Sequence, residues 1–313
     1  MKSSPERGGG PRPQGVVEGP PVRAVRPDRG PLHHQPAAGG PPPRAGEELR
    51  RAAARFGFSA TPRLDAELLL AHALGISRAA LLLDPDRAVP LAFAALVERR
   101  AAHEPVAYLT GSRGFWSIDL TVGPGVLVPR ADSETLIEAA VAHFAGSAGP
   151  GRVLDLGTGP GTLLFAALDQ WPAATGLGID ASATALGYAR DNAASLGMAA
   201  RAALRRGDWA AGVDERFDLI LANPPYIAAD APLPAEVSAH EPAEALFAGV
   251  DGLDAYGAIA PQLARLLAPG GVACIEIGAT QGAAVAALIA AEGLNSTLRR
   301  DLGGRDRGVV VAA

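Results

Sequence analysis

The stretch Val153-Leu154-Asp155-Leu156-Gly157-Thr158-Gly159-Pro160-Gly161-Thr162 decides the fold. It begins as a short apolar run of strand length, continues as a glycine-rich turn, and leads into Leu163 to Leu168, whose composition is helical. Further strand candidates follow at Leu177-Gly178-Ile179, Leu219 to Ala222, Val272 to Ile277, Leu294 to Leu298 and Val309 to Val311. The segments between them, such as Ala183 to Leu196 and Ile259 to Leu267, have helical composition and length. Strands that alternate with helices in this way predict an α/β chain with a doubly wound sheet.

Towards the amino terminus the pattern changes. Trp116, Ile118, Leu120 and Val122 alternate before Gly123-Pro124-Gly125, which predicts a β-hairpin within residues 114–128. A helix then starts near Asp132 or Ser133, either of which can cap Leu136 to Val141. Residues 46–113 are helical in period: Leu64, Leu68, Leu69 and Ala71 recur at helix spacing, as do Leu91, Ala94, Leu96 and Val97 beyond the breaker Asp84-Pro85-Asp86. Residues 1–45 hold 11 Pro and 8 Gly, with seven basic and three acidic side chains and almost no large apolar ones. Such a segment buries too little surface to offset its ordering entropy and is expected to be a disordered tail. It has no amphipathic period and no apolar targeting core, and translation from a misassigned upstream start would leave the same composition.

The formal net charge is −5, from 28 basic and 33 acidic residues, so there is no electrostatic footprint of a stable nucleic-acid binder. No apolar run approaches the roughly 20 residues that span a bilayer, so no membrane partner is expected. The single cysteine, Cys274, sits in an apolar strand candidate, and none of the six histidines has a second ligand-type residue at metal spacing. Neither a disulfide nor a metal is expected, and a reducing cytoplasm fits best.

The glycine loop points to a cofactor. Alternate glycines let the backbone approach a ligand, and the helix behind them offers free N–H groups. Asp180 ends the second strand about 20 residues on, where a carboxylate can hold ribose hydroxyls. The spacing is G-x-G-x-G, without the third glycine of the dinucleotide fingerprint, and Asp155 stands just before the loop. An acid there suits a cationic cofactor end, which favours S-adenosylmethionine over NAD.

A second motif closes the apolar run Phe217 to Ala222: Asn223-Pro224-Pro225-Tyr226. Ligands of open α/β sheets bind at the carboxyl ends of strands. A carboxamide, carbonyls held in direction by proline, and an aromatic face together suit a planar nitrogen group, either an amide or an exocyclic amine. Asn-Pro-Pro is also good turn chemistry, and a Tyr after a turn can simply pack on the sheet.

With both motifs present, the chain resembles the protein-glutamine N5-methyltransferases that modify peptide chain release factors. The similarity runs from about Glu47 to the carboxyl end through Leu64-Asp65-Ala66-Glu67-Leu68-Leu69, Glu104-Pro105-Val106-Ala107-Tyr108-Leu109-Thr110-Gly111, Phe115-Trp116, Val128-Pro129-Arg130 and Gly207-Asp208-Trp209. It continues through Glu241-Pro242, Asp251-Gly252-Leu253, Glu276-Ile277-Gly278 with Gln281, and Asp301-Leu302 with Arg307. Two positions depart from the pattern: Ala131 stands where proline is common, and Pro160 where Ser or Thr is usual. The resemblance implies a class I, Rossmann-like methyltransferase domain over residues 129–313, with residues 46–113 recognising the substrate and the hairpin as linker. It implies that Gly157, Thr158, Gly159, Pro160 and Gly161 line the methionine and ribose end of S-adenosylmethionine, that Asp180 holds the ribose, and that Asp208 and Trp209 flank the adenine. Without the resemblance, Gly-Asp-Trp reads as a turn and a packing aromatic. Asn223 would face both cofactor and substrate, with Pro224, Pro225 and Tyr226 completing a glutamine pocket; Asn223, Pro224 and Tyr226 are the expected catalytic set.

The expected activity is methylation of the glutamine of a Gly-Gly-Gln loop in class 1 release factors. Alternatives are N-methylation of a nucleobase, whose exocyclic amine has the same planar geometry, methylation of a ribosomal-protein glutamine, or a non-catalytic interaction protein that keeps the cofactor fold.

Overall fold

The computed structural model describes residues 44–312 except Pro85. The segment expected to form a disordered tail lies outside the described residues but for Arg44 and Ala45, and Ala45 already opens a helix and is fully buried. Five helices come first: α1 (Ala45–Arg55), α2 (Pro62–Leu74), α3 (Arg78–Leu83), α4 (Ala92–Ala101) and α5 (Val106–Thr110). Pro62 supplies a helical φ in the first turn of α2, where its missing N–H loses no bond, and the Ser77 side chain accepts the Ala80 N–H at 3.1 Å to start α3. These helices share a core that includes Leu49, Phe56, Leu69, Leu70, Leu81 and Phe93. Beside it, Arg100 of α4 is 3% exposed and donates to one carboxylate oxygen of Asp65 on α2 at 2.7 and 2.9 Å.

A hairpin of β1 (Ser112–Phe115) and β2 (Ile118–Thr121) follows, with Phe115 opposite Ile118. This shifts the expected hairpin: Trp116 lies in the turn instead of on a strand, and Gly123-Pro124-Gly125 comes after the pairing has ended. Trp116 adopts φ +54, and its N–H donates to the Glu134 carboxylate at 2.8 Å. A period-two pattern carries no trace of that long-range anchor. The helix α6 (Glu134–His143) starts where expected with Ser133 at its N-cap, yet the Ser133 side chain makes no capping hydrogen bond. The Asp132 and Ser133 side chains are drawn to tertiary partners, Asp132 to Arg307 at 3.1 Å and Ser133 to Glu276.

The rest of the chain is β3 (Arg152–Leu156), α7 (Thr162–Gln170), β4 (Thr175–Asp180), α8 (Ala183–Ser195), β5 (Ala202–Arg206), β6 (Phe217–Ala222), α9 (Ala235–His240), α10 (Asp254–Leu266), β7 (Leu267–Glu276), α11 (Gly282–Ala291), β8 (Ser296–Arg300) and β9 (Asp306–Ala312). They build one seven-stranded sheet of order β5-β4-β3-β6-β7-β9-β8. Neighbours from β5 through β7 are parallel, and β9 runs antiparallel to both β7 and β8. Val153, Leu219, Leu221, Val272 and Cys274 pack on one face, in the cluster that holds Leu136, Leu164 and Ala189 of α6, α7 and α8. Leu154, Leu156, Ile220, Ala222 and Ile275 pack on the other, with Ile259 of α10 and Val285 of α11. Burial on both faces explains why these strands read as largely apolar runs.

The sheet turns back on itself at β3. From there the chain winds outward through β4 and β5, then β6 returns to pair on the opposite side, with Leu156 beside Ala222. A crevice opens outside the carboxyl ends of strands at such a switch point. The residues directly after β3 and β6 are Gly157 and Asn223.

Candidate active site

A cavity of about 530 Å³ occupies this crevice. Gly157, Thr158, Gly159 and Pro160 form one wall, Asp180, Asp208 and Trp209 a second, and Asn223 with Pro225 a third. The glycine loop is held against β4: the N–H groups of Gly157 and Thr158 donate to the Ile179 carbonyl at 2.9 and 3.0 Å. Gly157 and Gly159 take φ values of +71 and +58, a backbone region that most side chains disfavour. The carboxylate of Asp180 accepts the Gly159 N–H and the Ser182 N–H, each at 2.8 Å. The acid expected from sequence spacing stands in the cavity wall, and the structure adds that it also pins the loop.

Asp155 lies beneath the loop, 1% exposed. Its Oδ2 accepts from the Thr158 hydroxyl at 2.6 Å and from the Leu164 N–H at 3.1 Å, while Oδ1 has no partner among the described residues. Burial pushes its carboxyl up to about 7, against the pull of the two donors. A buried oxygen without a donor, in the lining of a cavity, suits a cationic group.

Three expected site residues do not line the cavity. Gly161 caps α7 at φ +90, and a Cβ there would run into the Phe165 ring, so its glycine serves close helix packing. Pro224 is buried behind the wall. Tyr226 turns its hydroxyl to Glu276 at 3.3 Å, while its carbonyl accepts from the Gln281 amide at 3.0 Å. Burial, with Glu276 nearby, raises the Tyr226 hydroxyl to about 12, so it stays a donor.

Two residues outside the expected site set, Ser133 and Glu276, support Asn223. Its Nδ2 donates to Ser133 Oγ at 3.1 Å, and the Ser133 hydroxyl donates to Glu276 Oε2. Glu276 ends β7, 1% exposed, and burial lifts its carboxyl to about 7 although Ser133, Arg307 and Tyr226 oppose the shift. Glu241, 6% exposed, accepts the Val128 N–H at 3.1 Å and pairs with Arg130. It thereby ties down the segment whose Pro242, Glu244 and Ala245 face the cavity. An acid inside the otherwise apolar run Val272 to Ile277 is the one local signal that could have singled out Glu276.

Comparison with known proteins agrees with this geometry. Residues 47–111 match the PrmC N-terminal domain and residues 150–297 a methyltransferase domain. The chain is 47% identical over 253 residues to the release factor glutamine methyltransferase of Rhodospirillum rubrum, covering 79% of this chain and 77% of that one. Identity to the enzyme of the same name from Cereibacter sphaeroides is 48% over 275 residues, 84% of this chain and 96% of the relative. The Caulobacter vibrioides enzyme is 44% identical over 261 residues, 80% and 89% of the two chains. With a methyltransferase sheet, a ligand cavity at its switch point and this identity over most of its length, the chain belongs to the release factor glutamine methyltransferase family.

Proposed function

We propose that the protein transfers a methyl group from S-adenosylmethionine to the side-chain amide nitrogen (N5) of the glutamine in the Gly-Gly-Gln loop of class 1 release factors. The observation that carries this reading is a single cavity lined by both the Asn223 carboxamide and Asp155 with its unpartnered Oδ1. When bound, S-adenosylmethionine supplies a sulfonium methyl, a strong electrophile. Asp155 and the glycine loop would hold its cationic end, Asp180 its ribose hydroxyls, and Asp208 with Trp209 its adenine.

An amide nitrogen is a poor nucleophile because its lone pair is delocalised into the carbonyl, so placement is the main task of the protein. Asn223 Oδ1 accepts an amide N–H bond and aims the nitrogen for in-line displacement. Orientation of this kind supplies roughly 7–11 kcal/mol of a barrier. Residues 46–113 serve as the surface that recognises the protein substrate, residues 114–128 as the linker and residues 129–313 as the catalytic domain. No helix of the described residues is long and apolar enough to cross a membrane, and a cytoplasmic location fits a translation factor as substrate.

Incubation with methyl-labelled S-adenosylmethionine and release factor, ribosomal protein or nucleic acid, followed by mass spectrometry, tests the reading. Label on the Gly-Gly-Gln glutamine is the expected result. Label on a nucleobase, or on no substrate, would overturn it.

A further inference from the structure

The Asn223 carboxamide is not free to choose which end it shows the cavity. Its Nδ2 faces Ser133 Oγ at 3.1 Å, and Ser133 in turn is bonded to Glu276 Oε2. The Tyr226 hydroxyl takes the other carboxylate oxygen at 3.3 Å. An ionised carboxylate only accepts, so the Ser133 hydroxyl must spend its one proton on Glu276 and has only lone pairs left for Asn223. Asn223 is then obliged to give its NH₂ to Ser133 and to turn Oδ1 away from it. An oxygen in that position receives an amide N–H. A nitrogen there would bind the substrate's carbonyl and swing the reacting nitrogen out of line.

We propose that Ser133 and Glu276 are positioning residues that set the Asn223 carboxamide with Oδ1 towards the substrate, so that the site accepts a primary amide by its N–H. The inference rests on the glutamine-methylation reading above. It assigns a task to Ser133, which lines the cavity, and to Glu276, which does not.

Protonation of Glu276 reverses the chain of bonds. A neutral carboxyl can donate to Ser133, which then donates to Asn223 Oδ1, and the carboxamide turns its NH₂ to the cavity. The groups that face Glu276 are the Ser133 and Tyr226 hydroxyls, the Arg307 guanidinium and the Asp132 carboxylate, while Tyr256 donates to its backbone carbonyl at 3.0 Å. Burial outweighs the donors and the cation, so ionisation of this acid falls near neutrality. At saturating cofactor, kcat therefore rises with pH through about 7.

The test compares wild type, Ser133→Ala, Ser133→Thr and Glu276→Gln with release factor as substrate, reading kcat against pH together with the calorimetric Kd for S-adenosylmethionine. Ser133→Ala is expected to lower kcat about 10- to 100-fold, as a misdirected reacting group does, with Kd unchanged. Ser133→Thr keeps the hydroxyl and restores kcat, and Glu276→Gln flattens the rise through neutral pH. Wild-type kcat in Ser133→Ala would overturn the proposal. So would parallel losses of kcat, cofactor affinity and melting temperature in both Ser133 variants, since that marks a merely structural role. Failure of the wild type to methylate the release-factor glutamine overturns the functional reading and this inference together, whereas an active Ser133→Ala with an active wild type overturns only the inference.

Discussion

Asp180 accepts the Gly159 N–H at 2.8 Å, which binds the acid that ends β4 to the glycine loop that follows β3. Its other oxygen accepts the Ser182 N–H at the same distance. The carboxylate expected to hold a ribose thus also shapes the loop beside it. Asp180→Ala is expected to weaken S-adenosylmethionine binding by tenfold or more in calorimetry. Loss of the two charge-assisted bonds should lower unfolding stability by about 1–3 kcal/mol in urea titrations. Cofactor affinity equal to wild type would count against the ribose role.

Asn223→Ala is expected to reduce methyl transfer to release factor by about 10²-fold or more, because the amide acceptor disappears from the transition state. The groups proposed to hold the cofactor, Asp155 and Asp180, are untouched by this change, so Kd for S-adenosylmethionine should change little. Single-turnover assays with labelled methyl donor separate the two effects. Transfer near the wild-type rate would remove Asn223 from the mechanism.

The Asp155 carboxyl is raised from its ordinary 3.8 to about 7, so the folded protein favours the neutral acid. The stability linked to this group is fully present below the unfolded value and is lost as pH climbs through about 7. Asp155→Asn keeps an oxygen for Thr158 and Leu164 without the buried charge. The variant should melt higher than wild type at about pH 8 and show no such gain near pH 4. A cationic ligand instead favours the ionised form, so wild-type affinity for S-adenosylmethionine should rise from about pH 6 to pH 8 with release of a proton. Calorimetry in buffers of differing ionisation enthalpy detects that proton.

Arg100 joins three elements, Asp65 of α2, its own α4, and Glu236 of α9 at 3.0 Å. Arg100→Met leaves the Asp65 carboxylate buried without its cation, which costs about 3–5 kcal/mol in comparable sites. Restoring neutrality with Asp65→Asn in the same chain should recover part of the loss. Chemical unfolding of the single and double variants measures the coupling; equal stability of Arg100→Met and wild type would show that the pair contributes nothing.

The two motifs and the sheet were legible for one reason: each is written in contiguous residues. Leu219 to Ala222 is apolar throughout, and Val153 to Leu156 is apolar but for Asp155, because helices cover both faces of their strands. The glycine loop declares itself because it needs positive φ at Gly157 and Gly159. β5 escaped notice because it is an edge strand paired only with β4, and Ala-Ala-Leu-Arg-Arg needs no unbroken apolar pattern there. The spacing of Gly161 predicts a ligand residue, but the Phe165 ring, one helical turn on, is what requires it to be glycine.

Periodicity and turn chemistry, which are local, were enough to place the α/β class, the glycine loop, and Asp180 and Asn223 as cavity residues. The direction in which Asn223 points was not available at that level. Ser133 lies 90 residues before it, and Glu276 lies 143 residues beyond Ser133. Read locally, Ser133 is a helix cap, and only the packing of α6 against β7 and β9 brings its hydroxyl to the buried carboxylate. An apolar pattern is written in a segment's own residues, whereas a hydrogen-bond partner depends on which segments the layers bring together, and the fold alone makes that choice.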